Sequence, residues 1–219
     1  MATAAVVSGC ALAQAQPAAV WPDTFEGRLQ VLALVQSLNA EILTGQSATR
    51  ILERWCRDHH LAVAPRIDAK VFRDAHREAT AEQRARLRVG EGEELRYRRV
   101  QLRCGDRVLS EAENWYVPGR LTAEMNRELE TGTTPYGRVI DALAPYRRTV
   151  TARLLWSPLP EGWENEATKL PPETDGALPI PDSLLEHRAV VYAKDHLPLA
   201  EVHEVYQRQL LDFAPRRSP

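Results

Sequence analysis

Two runs rich in aromatic and β-branched residues, Tyr97-Arg-Arg-Val-Gln-Leu-Arg-Cys104 and Val108-Leu-Ser-Glu-Ala-Glu-Asn-Trp-Tyr-Val117, flank Gly105-Asp106. Such a turn pair between strand-forming runs predicts a β-hairpin over about 95–117. Pro118 closes the second run, because proline has no N–H to give to a ladder. A hairpin this long fixes an antiparallel sheet and a strict alternation of faces. Arg98, Val100, Leu102 and Cys104 share one face, and Tyr97, Arg99, Gln101 and Arg103 the other. Val100's side is the apolar one. Arg99 therefore faces either solvent or a polar pocket roofed by other elements.

The flanking segments supply helices and further strands. Asp23 or Thr24 can cap a helix in which Phe25, Leu29, Leu32, Val35 (or Val31), Leu38 and Ile42 follow the helical period, and Gly45 ends it. Ser47 caps a second helix with Ile51, Leu52, Trp55 and Cys56 on one face, giving an antiparallel helical pair. Leu61, Val63 and Ile67 suggest an edge strand interrupted by Pro65. Thr80 and Gln83 form a capping box for a short helix ending at Gly90. A helix from Thr122 and a shorter one at Thr134-Pro135 follow the hairpin. Strands are expected over 148–156, 187–192 and 199–206, with a proline-rich acidic loop over 157–181. The sum is an α+β fold: an antiparallel sheet with helices packed on one face.

At 219 residues with 44% apolar content, the chain can build one sizeable core, read here as a single domain over 21–213. A net charge of −2 argues against a grip on nucleic acid or anionic lipid. The basic stretch Arg84 to Arg99 is interleaved with Glu82, Glu91, Glu93 and Glu94, which points the same way. No run after residue 20 is long and apolar enough to span a membrane. Residues 1–20 carry no charge and contain small-x-small steps at Ala11-Leu-Ala13 and Ala13-Gln-Ala15, the pattern of an export signal or of an alanine-rich leader. An exported, periplasmic location follows from the first and a cytoplasmic one from the second. Cys56 and Cys104 both lie on apolar faces and read as buried free thiols, a bridge between them being the exported alternative. Cys56-x-x-His59-His60 has ligand-type residues but lacks the second cluster a zinc site needs, so no metal is expected.

The segment 97–138 resembles the chorismate pyruvate-lyases. In that family an arginine-bearing strand ends in an apolar-Cys step, a turn follows, the return strand closes on Val-Pro as at Val117-Pro118, and a Thr-Pro-aliphatic-Gly-Arg segment comes soon after, here Thr134-Pro-Tyr-Gly-Arg138. Glu204-Val205-Tyr206 is similar to the family's Glu-aliphatic-aromatic step on the last strand. The resemblance implies a chorismate lyase-like fold and conversion of chorismate to 4-hydroxybenzoate and pyruvate without cofactor. It implies Arg99 and Glu204 as catalytic residues. Arg99 would clamp a carboxylate with its guanidinium fork and Glu204 would hold the ring-hydroxyl end. Asn114, Tyr136 and Ala48 would line the substrate pocket.

Asn114 stands where the lyases carry a second arginine, and Tyr136 replaces the aliphatic residue of the Thr-Pro segment. Losing one cation removes a charge-assisted contact of about 1.5–3 kcal/mol from a dicarboxylate. The alternative is a non-catalytic, periplasmic binding protein that uses the same pocket for a small aromatic carboxylic acid. The effector domains of some bacterial transcription regulators share this lyase-like fold, and no winged DNA-binding module is recognised ahead of it in this chain.

Overall fold

A computed structural model describes residues 20–214. The leader expected over 1–20 thus falls, but for Val20, outside the described residues. Six strands form one antiparallel sheet in the order β1-β2-β3-β6-β5-β4: β1 Ile67–Phe72, β2 Arg96–Cys104, β3 Arg107–Tyr116, β4 Tyr146–Leu154, β5 Ser183–Tyr192 and β6 Pro198–Gln207. β2 and β3 are the hairpin, turning at Gly105, which takes the left-handed φ of +56° that glycine adopts freely. The last strand inserts between the hairpin and β5, so β3 pairs with β6 and the centre of the sheet is built from both halves of the chain.

Helix α1, Phe25–Thr44, starts at Thr24, whose side chain accepts from the Gly27 N–H, and buries Arg28, Val31, Val35, Leu38 and Ile42. The stripe runs through Val31. Phe25, Leu29 and Leu32 stay half-buried because the sheet is reached one residue round the helix from where they point. Helix α2, Ala48–Asp58, is capped by Ser47 and buries Ile51, Leu52, Trp55 and Cys56 as its periodicity predicts. Both helices cover the face of the sheet that carries Val100, Leu102 and Ala112. Helices α4, Ala123–Thr131, and α5, Tyr136–Val139, sit in the crossover from β3 to β4 and extend this layer through Leu129, Tyr136 and Ile140. Short α3, Ala81–Arg86, lies against the other face, where Leu87 packs on Trp115 and Val190. The architecture is α+β with the chorismate lyase-like layering the hairpin and its flanks imply.

Three expectations are corrected here. Cys56 and Cys104 are not free thiols: they form a disulfide between the last turn of α2 and the end of β2, with Cα atoms 6.5 Å apart, a spacing a bridge accepts. β4 begins two residues before the expected 148, because Tyr146 and Arg147 already pair with Tyr192 and Val191. The first edge strand starts only at Ile67, leaving Val63 fully exposed beyond Pro65.

Candidate functional site

The start of helix α2, Ser47 to Thr49, lies over the sheet, and the space between them is a cavity. Its floor is Val100 and Leu102 of β2, Ala112 and Asn114 of β3, Val202 and Glu204 of β6 and Val191 of β5. Its roof is Ala48 and Thr49 of α2 with Tyr136 and Gly137 of α5, and Arg147 closes one side. The cavity is small, about 50 Å³, and partly open to solvent. Gly137 makes the roof compact. A Cβ there would stand 3.2 Å from Thr49 Oγ1 and 3.3 Å from Ser47 Oγ, so the absent side chain lets α5 close against the start of α2.

The strand register explains which side chains reach the cavity. Val100 pairs with Ala112 and Ala112 with Glu204; Arg98 pairs with Asn114 and Asn114 with Val202. These residues therefore share the helix-covered face. Arg99 is one step out of phase and points away. Its side chain is 44% exposed, its Nη2 donates to Glu111 Oε2 at 3.4 Å, and its guanidinium lies 5.1 Å from the Phe72 ring on the uncovered face. This corrects the expectation that Arg99 meets Glu204 across an enclosed cavity: the whole thickness of the sheet separates them. A one-residue step along a strand exchanges faces, and spacing alone does not say which face Arg99 takes. Glu204, Asn114, Tyr136 and Ala48 all border the cavity. Glu201, the acidic neighbour of opposite facing, is buried on the other side, where its Oε2 accepts from Arg86 Nε at 2.6 Å and its Oε1 from Gln83 Nε2 at 3.2 Å.

The cation that does enter the cavity is Arg147. Its Nη2 donates to Glu204 Oε2 at 2.9 Å, and Tyr206 OH donates to the same oxygen at 3.0 Å. Burial alone would lower the Arg147 pKa, but the Glu204 charge, with Tyr206 beside it, outweighs this and holds it raised. Burial, reinforced by the Glu204 charge, raises that of Tyr206. Next to them His187, cross-strand partner of Glu204, is fully buried; its Nε2 donates to Asn39 Oδ1 at 2.8 Å. Burial, and then the charge of Arg147, depress the His187 pKa from 6.5 to about 4, so the ring is neutral. Sequence reasoning missed Arg147 because the strand was started at Arg148. Counting Tyr146 into the run Tyr-Arg-Arg-Thr-Val-Thr would have placed Arg147 on β4.

Several buried groups around the cavity lack a protein partner. The Tyr136 hydroxyl and Arg147 Nε are buried without a hydrogen bond among the described residues. The Asn114 amide and the Thr49 hydroxyl, each on a residue more than nine-tenths buried, have none either. Both bonds to Glu204 fall on Oε2, which leaves Oε1 to the cavity. Buried polar groups are paired in the great majority of cases, so the unpaired Tyr136 hydroxyl and Arg147 Nε, with the Asn114 amide, the Thr49 hydroxyl and Glu204 beside them, mark this space as a candidate site. Burial also keeps Tyr136 protonated, its pKa pushed far up, so it offers a donor. Behind Asn114, Arg98 is itself buried. It donates Nε to Leu129 O at 3.2 Å and Nη2 to Thr134 O at 3.1 Å, and desolvation lowers its pKa to about 10. No carboxylate hydrogen-bonds it among the described residues.

No protein-family model matches the chain. It is 48% identical over 194 residues to the uncharacterized protein y4mC of Sinorhizobium fredii (strain NBRC 101917 / NGR234), a match that spans 88% of this chain and 81% of that relative. The chain belongs to the y4mC family. Among solved structures it is similar to PhnF from Mycobacterium smegmatis, with a TM-score of 0.51 and 13% identity over 94% of this chain and 95% of PhnF. The effector domain of PhnF gives a TM-score of 0.48 and 14% identity over 79% of this chain and 96% of that domain. At these identities the likeness to PhnF speaks for fold. This chain thus carries a chorismate lyase-like fold, with the cavity under α2 between its helices and sheet.

Proposed function

We propose that this y4mC-family chain is a non-catalytic receptor for a small aromatic carboxylic acid, residues 21–213 forming one receptor domain around the cavity under α2. The observation that carries this reading is the convergence of the unpartnered Tyr136 hydroxyl, Arg147 Nε, Asn114 amide and Thr49 hydroxyl on a space otherwise walled by Val100, Leu102, Ala112, Val191 and Val202. Apolar walls suit a ring, and the clustered donors beside the first turn of an eleven-residue helix suit a carboxylate. Glu204 Oε1, an acceptor only, suits a ring hydroxyl.

The lyase alternative rests on Arg99 as carboxylate clamp and Glu204 as manager of a proton. Arg99 is on the wrong face for the first role, and the Glu204 carboxylate is already engaged by Arg147 and Tyr206. Calorimetric titration with 4-hydroxybenzoate tests the receptor reading, with saturable 1:1 binding expected. Incubation with chorismate, followed by the absorbance of 4-hydroxybenzoate, tests the alternative. Turnover that is lost in Glu204→Gln would replace the receptor by the lyase.

A further inference from the structure

We infer that a second pocket, where the end of β1, the start of β2 and the end of α4 meet, binds a small organic anion through Arg73 and Arg98. It shares no lining residue with the cavity under α2 and does not depend on the receptor reading.

The pocket has a volume of about 480 Å³ and opens to solvent, within the size range of small-ligand sites. Phe72, Leu95 and Leu129 give it apolar walls, and Tyr97 and Tyr116 amphipathic ones. The turn after β1 brings Arg73 to it, and the first residues of β2 bring Arg96 and Arg98. Arg96 is engaged by carboxylates: it donates Nε to Glu94 Oε1 at 2.6 Å and Nη1 to Glu130 Oε1. The other two are not. Arg73 donates to the carbonyls of Glu130 and Thr131, and Arg98 to those of Leu129 and Thr134. Neither pairs with a carboxylate among the described residues.

Closing the end of α4 uses two nitrogens of Arg98 and leaves the third. Arg98 is 4% exposed, and its Nη1 has no partner among the described residues. Burial holds its pKa down at about 10; the Arg73 charge works in the same direction and that of Glu128, whose Oε1 accepts from Thr134 Oγ1, against it. Two guanidiniums that repel each other beside a roomy pocket are a state that an anion relieves. The Tyr116 hydroxyl adds a donor. It has no hydrogen-bond partner among the described residues, and burial raises its pKa and keeps it protonated. The acids of the wall do not fill this place, since Glu130 is held by Arg96 and Asp74 is exposed to solvent. Guanidinium forks with a phenol beside them suit a carboxylate or a phosphate ester, and the apolar walls suit the group that carries it.

The test uses the full chain, isotope-labelled, and NMR at the amides of residues 71–76 and 95–98. The probes at neutral pH are benzoate, phenyl phosphate, neutral benzamide and inorganic phosphate. Saturable shifts at these amides are expected with benzoate or phenyl phosphate, the tighter of the two identifying the head group, and about tenfold weaker binding with benzamide or inorganic phosphate. Arg73→Gln, at an exposed position, is expected to weaken the organic anion there about tenfold and to leave any shifts at Thr49 and Gly137 of the other cavity as in the parent. No saturable shift at 71–76 and 95–98, or benzamide binding as tightly as benzoate, overturns the anion site and leaves the cavity under α2 as it stands. Inorganic phosphate binding as tightly as phenyl phosphate overturns the organic class.

Discussion

Arg147 of β4 reaches across β5 to place Nη2 2.9 Å from Glu204 Oε2 on β6, and both side chains are more than nine-tenths buried. The pair joins one edge of the sheet to its centre beneath the cavity, and Tyr206 completes it from below. Pairing two charges at this depth is not in itself strongly stabilising, but removing one of them leaves the other stranded. Arg147→Met is expected to destabilise the fold by about 3–5 kcal/mol, and the double change Arg147→Met with Glu204→Leu by clearly less. Urea unfolding of the two variants checks this. A single variant as stable as the double would mean that water reaches Glu204 freely.

Arg99→Ala is expected to do almost nothing. Its ion pair with Glu111 is exposed on both sides, and such pairs contribute about 0–1 kcal/mol. The affinity for 4-hydroxybenzoate should be unchanged, which calorimetric titration checks. A large loss from Arg99→Ala alone would restore the expectation that spacing suggested.

The contrast between Arg98 and Arg99 marks where sequence stops being sufficient. The hairpin, the caps at Thr24, Ser47 and Thr80 and the face of α2 were all legible, because each depends on neighbours within a few residues. Asn114, Tyr136, Ala48 and Glu204 were singled out by resemblance, and the fold gathers them at one cavity. Facing was not legible by resemblance, since a motif match carries a spacing but not the phase of the pleat. The alternation itself held the answer: the Val100 side is apolar, hence covered, and Arg98 belongs to it. Arg147 and His187 were out of reach for another reason. Their partners Glu204 and Asn39 lie 57 and 148 residues away; β6 beside β5 brings Glu204 to Arg147, and α1 packed on the sheet brings Asn39 to His187.

His187 should leave a trace in the pH dependence of stability. Its pKa falls from 6.5 to about 4 on folding, through burial first and the Arg147 charge second. Between those values the unfolded chain binds the proton that the folded one refuses. Stability is therefore full above pH 6.5 and is lost as the pH falls toward 4, by up to about 3 kcal/mol, since each tenfold change in proton affinity is worth about 1.4 kcal/mol. Glu186, held low despite its burial by the His203 hydrogen bond and by Arg153, loses its contribution only at still lower pH, below its ordinary 4.5. Chemical denaturation across this range in the parent and in His187→Gln isolates the histidine. The variant is expected to flatten the slope between pH 6.5 and 4, and an unchanged slope would assign it elsewhere.

The bridge between Cys56 and Cys104 closes a loop over a sequence separation of 48. A cross-link of that span restricts the unfolded chain by about 4 kcal/mol in the chain-entropy description, of which proteins commonly realise about 2–4. Because both cysteines are fully buried, a mild reductant should act slowly on the folded protein and quickly on the unfolded one. The double change Cys56→Ala with Cys104→Ala is expected to lower the urea midpoint accordingly. Thiol counting under denaturing conditions verifies the bridge directly: of the three cysteines in the sequence only Cys10 should titrate, and three titratable thiols in protein that was never reduced would refute the bridge.

Tyr136→Phe separates a structural hydroxyl from one kept for a ligand. In the free protein this hydroxyl is buried with no partner among the described residues, a state that burdens the fold by about 1–3 kcal/mol relative to a hydrogen-bonded one. Deleting the oxygen should therefore leave the free protein as stable as before or more so. If the cavity receives a carboxylate, the same deletion removes one donor and weakens 4-hydroxybenzoate by about 0.5–1.5 kcal/mol, several-fold in affinity. A purely structural residue would show the opposite pattern, with stability lost and affinity kept. Paired unfolding and calorimetric measurements on this one variant decide between them, because the two roles predict changes of opposite sign in the folded state without ligand.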